Sequence, residues 1–346
     1  MVHNCRIAIG RKKVSLVSEQ PIITPSTTIT NYIMRILPLL FACCSLSMVC
    51  RAQDDLSKMF EDSTGHQPVI GTFKSTRIIM GHSNETLKKH ELDFRVAHRF
   101  GDAGGEFGGG KTAFGLDNST DIRIAFEYGI SDDLMVGISR AKGSGDLSQI
   151  FEGLAKYRLL KQTTDDHIPV SVSLFGNVTV STMTSNDALT SASHFDEFTD
   201  RMTYVGQVII ARKFADLVSL TLSPTYIHRN RVGYMDMNNM FALGGSGRIK
   251  LSKRLAFIAE YYYPFRNQAS KDYYKSLGVK FYNPLGAGLE IETGGHVFSI
   301  NFTNSTAILE NQFIGETKSS WLQGQFRWGF NISRRFSLFG KRDWKK

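Results

Sequence analysis

Residues 121–128 read DIRIAFEY, and this stretch decides the fold. Apolar or aromatic residues occupy every second position from Ile122 to Tyr128, and mainly polar residues lie between them. Because successive side chains of a β-strand point to opposite faces, this order predicts a strand with one apolar and one polar face.

The same alternation recurs about twelve times between residues 90 and 336, in runs of about ten residues. Other clear examples begin at Leu92, Val170 and Val218, and the last strand is expected to run from Leu322 to Ser333. Soluble strands usually have about five or six residues, so these runs are long. Aromatic residues near the strand ends, as at Tyr261–Tyr263, are typical of the girdles of membrane barrels.

The connections between these runs alternate between short and long, as in a barrel with tight turns at one rim and loops at the other. The fold class is therefore predicted to be all-β, a single transmembrane antiparallel up-and-down β-barrel of about 12 strands. Pro284 interrupts two candidate strands, so the allowed range is about 10–14 strands.

The start of the chain predicts export. Residues 34–52 combine Arg35 with an apolar stretch and small residues before Gln53, which is typical of a signal peptide cleaved near Ala52. Residues 1–33 are interpreted as a mis-called start or a disordered stretch, and 53–90 as a periplasmic or lumen-filling segment. The barrel is expected over 91–336, followed by a basic tail over 337–346. If Phe336 ends the assembly signal, deletion of residues 337–346 leaves membrane assembly intact.

Composition excludes several classes of function. All four cysteines precede residue 51, so the processed chain has neither disulfides nor thiolate metal sites. Removal of residues 1–52 takes six of the 41 Lys and Arg residues and one of the 32 Asp and Glu residues, leaving 35 basic against 31 acidic. This mild, interspersed charge does not indicate a nucleic-acid partner.

Charged residues occur at positions that alternate with the apolar ones and are expected to point into the barrel. Such charges either pair across strands or line a polar conduit. The candidate lumen-lining residues are Arg95, Arg123, Glu127, Lys156, Arg158, Arg248, Glu290, Glu292 and Arg327. No catalytic, cofactor-binding or metal-binding residues are predicted, and no cofactor is expected. A barrel of about twelve strands is expected to be narrow or partly plugged.

Residues Gly105–Thr112 fit the P-loop pattern letter for letter. A P-loop needs a preceding strand and a following helix so that its amides converge on phosphates. Here another alternating strand follows, so the stretch is interpreted as a glycine-rich surface loop and no nucleotide partner is expected.

Several segments resemble the outer-membrane β-barrel family labelled domain of unknown function 5777. They are Phe73–Arg77, Gly81–Leu87, Leu92–Arg95, His98–Gly101, Glu292–Phe298, Phe302–Ser305 and Gly329–Arg334. The resemblance covers about residues 68–336 and implies an outer-membrane barrel of Gram-negative bacteria. The family has no assigned activity, so the resemblance implies no functional residues.

The first hypothesis is a non-enzymatic outer-membrane barrel, either structural or passing small polar solutes, with membrane lipid as its partner. One alternative is an outer-membrane hydrolase of the lipase or protease type, because a catalytic triad is recognised by geometry rather than by sequence. A second alternative is a secreted soluble β protein, because soluble sandwich strands also alternate.

Overall fold

The alternating runs fold into twelve strands, and the computed structural model shows them closed into one antiparallel barrel. The structure describes residues 66–339, so the predicted signal peptide, its cleavage site and most of the basic tail lie outside the described residues. The strands are β1 (Glu91–Asp102), β2 (Ser119–Gly129), β3 (Leu134–Gly143), β4 (Gln149–Leu160), β5 (Ser171–Ser181), β6 (Met202–Phe214), β7 (Val218–Arg229), β8 (Asn239–Lys250), β9 (Leu255–Pro264), β10 (Leu285–Thr293), β11 (His296–Thr303) and β12 (Arg327–Ser337).

Each strand pairs with its neighbours in sequence, and β1 pairs with β12 to close the sheet. Phe94 of β1, for example, lies opposite Phe126 of β2 on one side and Arg334 of β12 on the other. A closed sheet leaves no free strand edge, so the backbone groups of every strand find partners on both sides. The predicted up-and-down barrel and its count of twelve strands are confirmed.

The connections separate into a short-turn rim and a long-loop rim. The short-turn rim carries the connections 130–133, 161–170, 215–217, 251–254 and 294–295, and the long-loop rim carries 103–118, 144–148, 182–201, 230–238, 265–284 and 304–326. The loop before Pro284 holds helix α1 (Gln268–Ser276) instead of a strand, and the loop 304–326 holds helix α2 (Glu310–Glu316). No helix within residues 66–339 is long and apolar enough to cross a membrane.

The outer face of the sheet is apolar and the inner face is charged, which is the reverse of the arrangement in a protein that folds in water. On the outer face, Phe126 is 47% exposed and Ile138 is 67% exposed, whereas the inward Arg123 and Glu127 are completely buried. Exposing large apolar side chains all around a sheet while burying charges is unfavourable in water and favourable in hydrocarbon.

The predicted start of the last strand at Leu322 is wrong. Trp321–Gln323 forms a short 3-10 helix, and Gly324 takes a left-handed conformation with φ of 73°. This conformation interrupts the extended backbone, so β12 begins only at Arg327.

The P-loop-like residues Gly105–Thr112 lie in the loop between β1 and β2. A short 3-10 helix over Gly110–Gly115 begins within this stretch, with Ala113 and Phe114 at positive φ. The α-helix on which a phosphate-binding loop depends is therefore not formed by these residues.

Candidate functional site

The lumen is occupied by residues 66–90, here called the inner segment. It enters at the short-turn rim, where the Val69 amide donates to the Gln162 carbonyl oxygen at 2.7 Å. It reverses direction in a tight turn in which the Ile78 amide donates to the Gly81 carbonyl oxygen at 3.0 Å. It then returns to the same rim, where the His90 amide donates to the Gly129 carbonyl oxygen. The inner segment is thus a loop pushed into the barrel from one end.

The tip of the inner segment is held by one carboxylate of the wall. Glu260 of β9 accepts hydrogen bonds from three consecutive amides, those of Ile79 at 2.9 Å, Met80 at 2.5 Å and Gly81 at 2.9 Å. Hydrogen bonds to a charged acceptor are stronger than neutral ones, and all three donors come from one turn. The Glu260 carboxylate therefore fixes the conformation and the position of the tip together.

Lys156 of β4 holds both arms of the inner segment. Its ammonium nitrogen donates to the carbonyl oxygens of Thr76 at 2.8 Å, Ser83 at 3.0 Å and Glu85 at 2.9 Å. An ammonium group has three N–H donors, so all of them are used on the backbone of the inner segment. Because Thr76 lies on the inward arm and Ser83 and Glu85 on the returning arm, Lys156 ties the two arms to each other.

A network of buried charges lies beside this contact. Arg123 Nη2 is 2.7 Å from Glu152 Oε2 and 3.8 Å from Glu127 Oε1, and Arg95 Nε is 3.9 Å from the same Glu127 oxygen. Thr76 of the inner segment donates its hydroxyl to Glu127 Oε2 at 2.7 Å. Buried charges are stable only when they are paired and hydrogen-bonded, so the inner segment completes the network.

Helix α2 closes the lumen from the long-loop rim. All seven of its residues are buried, and Phe313 packs edge-on against Tyr262 of β9 with 5.1 Å between ring centroids. The Gln312 amide nitrogen donates to the Leu147 carbonyl oxygen at 2.6 Å, which connects α2 to the loop between β3 and β4. The loop 304–326 is thus folded inwards.

The inner segment and α2 contact each other through an ion pair. Arg77 of the inner segment lies 2.6 Å from Glu310 Oε1 of α2, and both side chains are almost completely buried. Arg77 Nε also donates to His82 Nε2 at 3.1 Å, which requires that nitrogen to be unprotonated. The position of the inner segment is therefore linked to the position of α2.

A second charged cluster surrounds the C-terminal end of α2. Arg229 contacts Asp236 at 3.1 Å and Glu316 at 3.4 Å, and Glu316 accepts from the Asp146 amide at 2.9 Å. Burial, together with the negative charge of Asp146, raises the pKa of Glu316 to about 8 despite the nearby Arg229. Although burial alone would raise it, Arg229 and Arg266 hold the pKa of Asp236 below its ordinary value.

The nine predicted lumen-lining residues all lie at inward positions of their strands. Seven are buried, namely Arg95, Arg123, Glu127, Lys156, Arg248, Glu290 and Arg327. Arg248 pairs with Glu290 at 2.7 Å. Arg158 and Glu292 lie nearer the short-turn rim, where they contact Glu85 and Lys74 of the inner segment. Their part in solute passage stays a prediction.

Between these side chains and the inner segment lies a cavity of about 10 Å³, lined by residues that include Ser75, Arg95 and Glu290. This volume admits about one water molecule. At this level of the barrel the inner segment therefore packs closely against the wall.

Sequence reasoning missed Arg77, His82 and Glu310, because none of them lies on an alternating strand. The available signal was weak: Arg77 directly precedes the apolar residues Ile78–Met80, and Glu310 directly follows the apolar residues Ala307–Leu309. Within residues 66–339, no group of three or more His, Cys, Asp or Glu side chains is placed to hold a metal ion.

Solved barrels show a weak likeness to the chain. The KdgM porin has 10% identity and a TM-score of 0.42, covering 71% of this chain and 99% of the porin. The NanC porin has 9% identity and a TM-score of 0.41, covering 71% and 100%. An outer membrane channel from Pseudomonas putida F1 has 13% identity and a TM-score of 0.40, covering 73% and 98%. TM-scores at this level support no inference about what this chain does.

No curated protein matches the chain. A family model described as a membrane bound beta barrel domain, DUF5777, matches residues 73–336. A membrane-bound barrel agrees with the apolar outer face and leaves the secreted soluble alternative without support. The resemblance seen in the sequence is thus confirmed, and the chain belongs to the membrane bound beta barrel domain family, DUF5777.

Proposed function

We propose that this protein is a gated outer-membrane channel for small polar solutes, kept closed by the inner segment and α2. The observation that carries the proposal is that a charged and polar lumen is filled by two chain segments rather than by the wall's own side chains. Wall side chains alone fill a barrel of about eight strands, so in this wider barrel of twelve strands closure depends on the two inserted segments.

The contacts that hold the inner segment favour a reversible closure. Many of them are hydrogen bonds between wall side chains and its backbone, with Lys156 as a donor and Glu260 as an acceptor. Water can replace such partners, so the net contribution of each hydrogen bond to these charged groups is only about 1.5–3 kcal/mol. Apolar contacts of Ile79, Met80 and Leu87 oppose withdrawal and keep the resting state closed.

The proposed orientation places the short-turn rim in the periplasm, as in bacterial outer-membrane barrels. The inner segment then enters from the periplasmic side, and α2 folds in from the cell surface. Export through a signal at residues 34–52, cleaved near Ala52, is part of the same proposal. A hydrolase remains the alternative class of function.

Conductance in planar bilayers tests the proposal. A site for a specific protease is inserted between Lys88 and Lys89, which are both exposed at the short-turn rim, so that the same folded protein is compared before and after cutting. We expect no current steps from the uncut barrel and discrete steps once the cut fragment has been washed away, because loss of Arg77 leaves Glu310 unpaired and loosens α2 as well. A barrel that stays silent after release of the fragment contradicts the channel, and hydrolysis of lipid or peptide by that silent barrel supports the alternative.

A further inference from the structure

We propose that the lumen wall is a binding site for polypeptide backbone, which makes short peptides the solute class of the channel. This inference rests on the proposed function, because the inner segment must leave before another peptide can enter. The inner segment is then a part of the same chain that occupies the site in place of a separate peptide.

The first observation is the kind of group that the wall contacts. Glu260 accepts from three consecutive amides, and Lys156 donates to three carbonyl oxygens, none of them on a side chain. Arg99 and Asn331 both donate to the Ile79 carbonyl oxygen, each at 3.0 Å. Every peptide carries these backbone groups, whereas a carbohydrate or a simple ion has no row of amide donors.

The second observation is how these contacts are arranged along the wall. Ser219 of β7 donates to the Thr72 carbonyl oxygen at 2.5 Å, and Ser173 of β5 donates to the Asn84 carbonyl oxygen at 2.8 Å. Together with Lys156 and Glu260, they follow the backbone inwards, around the turn and out again. A site that reads main-chain groups in this way tolerates different side chains, as main-chain pairing does when a peptide is added to a sheet edge.

Side-chain contacts add to this recognition without replacing it. Thr76 donates to Glu127, and Arg77 pairs with Glu310 of α2, so the native sequence is favoured over others. The inner segment is therefore expected to bind more tightly than a peptide of unrelated sequence, and to exclude such peptides while it remains in place.

The test uses the cut and washed barrel described above, in detergent, and a fluorescent synthetic peptide with the sequence of residues 72–87. We expect saturable binding that is about tenfold or more weaker in the variants Glu260→Gln and Lys156→Met, because each removes charged partners of the backbone. Thr203→Val is the matched control, since Thr203 is equally buried on β6 and is not among the wall residues that hydrogen-bond the inner segment. A gel mobility in SDS that shifts on heating checks that each variant is folded.

Changes in the peptide separate recognition of the backbone from recognition of side chains. N-methylation at Met80 removes one donor to Glu260 and should weaken binding about tenfold, whereas N-methylation at Lys74 should have little effect. A peptide of the same composition in scrambled order should still bind, more weakly, and a neutral oligosaccharide of equal mass should not. Binding of the native order alone overturns the assignment of the solute class.

The outcomes also separate this inference from the proposed function. Current steps after cutting, with no peptide binding or with binding insensitive to Glu260→Gln and Lys156→Met, overturn the inference and leave the channel standing. A fragment that cannot be released, in a barrel that never conducts, contradicts both.

Discussion

At Gly81 the barrel wall comes so close to the inner segment that only a hydrogen atom fits. A Cβ atom built there would lie 1.8 Å from the Tyr262 hydroxyl oxygen and 3.0 Å from Glu260 Oε1. Close packing of this kind leaves no room for relaxation unless the tip or the Tyr262 ring moves. Single positions such as this one determine how firmly the lumen is closed.

Gly81→Ala is therefore expected to displace the tip and to destabilise the closed barrel by about 1–3 kcal/mol. The measurement is the free energy of unfolding in lipid vesicles, together with the frequency of current steps in bilayers, which should rise. Gly294→Ala is the control, because a Cβ there would meet nothing within 4 Å. Equal behaviour of the two variants would contradict the close approach at Gly81.

The Arg77–Glu310 pair gives a second prediction at the level of side chains. Arg77→Met or Glu310→Leu alone should cost about 3–5 kcal/mol, because each leaves an unpaired buried charge, whereas the double variant should cost much less than the sum. The half-exposed pair Lys318–Asp146 serves as the reference, and breaking it should cost about 1 kcal/mol or less. Additive costs in the buried pair would show that the inner segment and α2 are not coupled.

The inward direction of charged residues could be predicted from sequence, whereas their partners could not. A period of two assigns Arg123 and Glu127 to the inner face wherever the strand begins. Arg77 and Glu310 are 233 residues apart and lie in two segments outside the strands. No local sequence pattern predicts the path that these segments take through the lumen. Glu260 also lies at an inward position of its strand, but its amide partners depend on a turn that the sequence did not reveal.

Among the elements, α2 is unusual because a seven-residue helix is buried on every side. It stays in place through contacts at both ends, with Arg77 at Glu310 and with Arg229 and the Asp146 amide at Glu316. A helix this short has little stability of its own, so these tertiary contacts hold it. Its conformation therefore responds to the protonation of the carboxyl groups within it.

We expect the contacts that hold α2 in the lumen to weaken as pH rises. The folded-state pKa of Glu316 is raised to about 8 from an ordinary value of 4.5, so its contribution to stability is fully present below about pH 4.5 and is lost as pH rises through about 8. Hydrogen exchange of the α2 amides, corrected for the intrinsic pH dependence, should show protection that decreases between about pH 4.5 and 8 and levels off above. Glu316→Gln should abolish this dependence, and a dependence that survives in this variant would contradict the assignment to Glu316.

At the level of strands and loops, the sequence predicted more than at the level of contacts. The alternation of short and long connections matched the two rims except at the connection 161–170, which is longer than 144–148 and 230–238 on the opposite rim. The start of β12 was missed because the alternation continues through Leu322 and Gln323, while the left-handed Gly324 turns the backbone there. Apolar periodicity cannot distinguish a strand from a loop whose side chains happen to alternate.

For the whole molecule, the apolar outer face defines the solvent in which the barrel is stable. Leu222→Arg, near the middle of β7, should destabilise the barrel by about 2–4 kcal/mol in lipid vesicles, because an arginine would face hydrocarbon. The control is Leu251→Arg at the short-turn rim, where the cost should be about 0–1 kcal/mol. If both substitutions cost the same, then this face of the barrel does not lie against lipid.

The inner segment is covalently continuous with β1, and β1 forms one side of the seam that pairing with β12 closes. Because the inner segment is attached to β1, it can enter the lumen while β1 and β12 are still unpaired. It then need not be threaded through a closed barrel. We therefore expect the barrel to close around the inner segment, so that its lumen is already occupied when β1 pairs with β12.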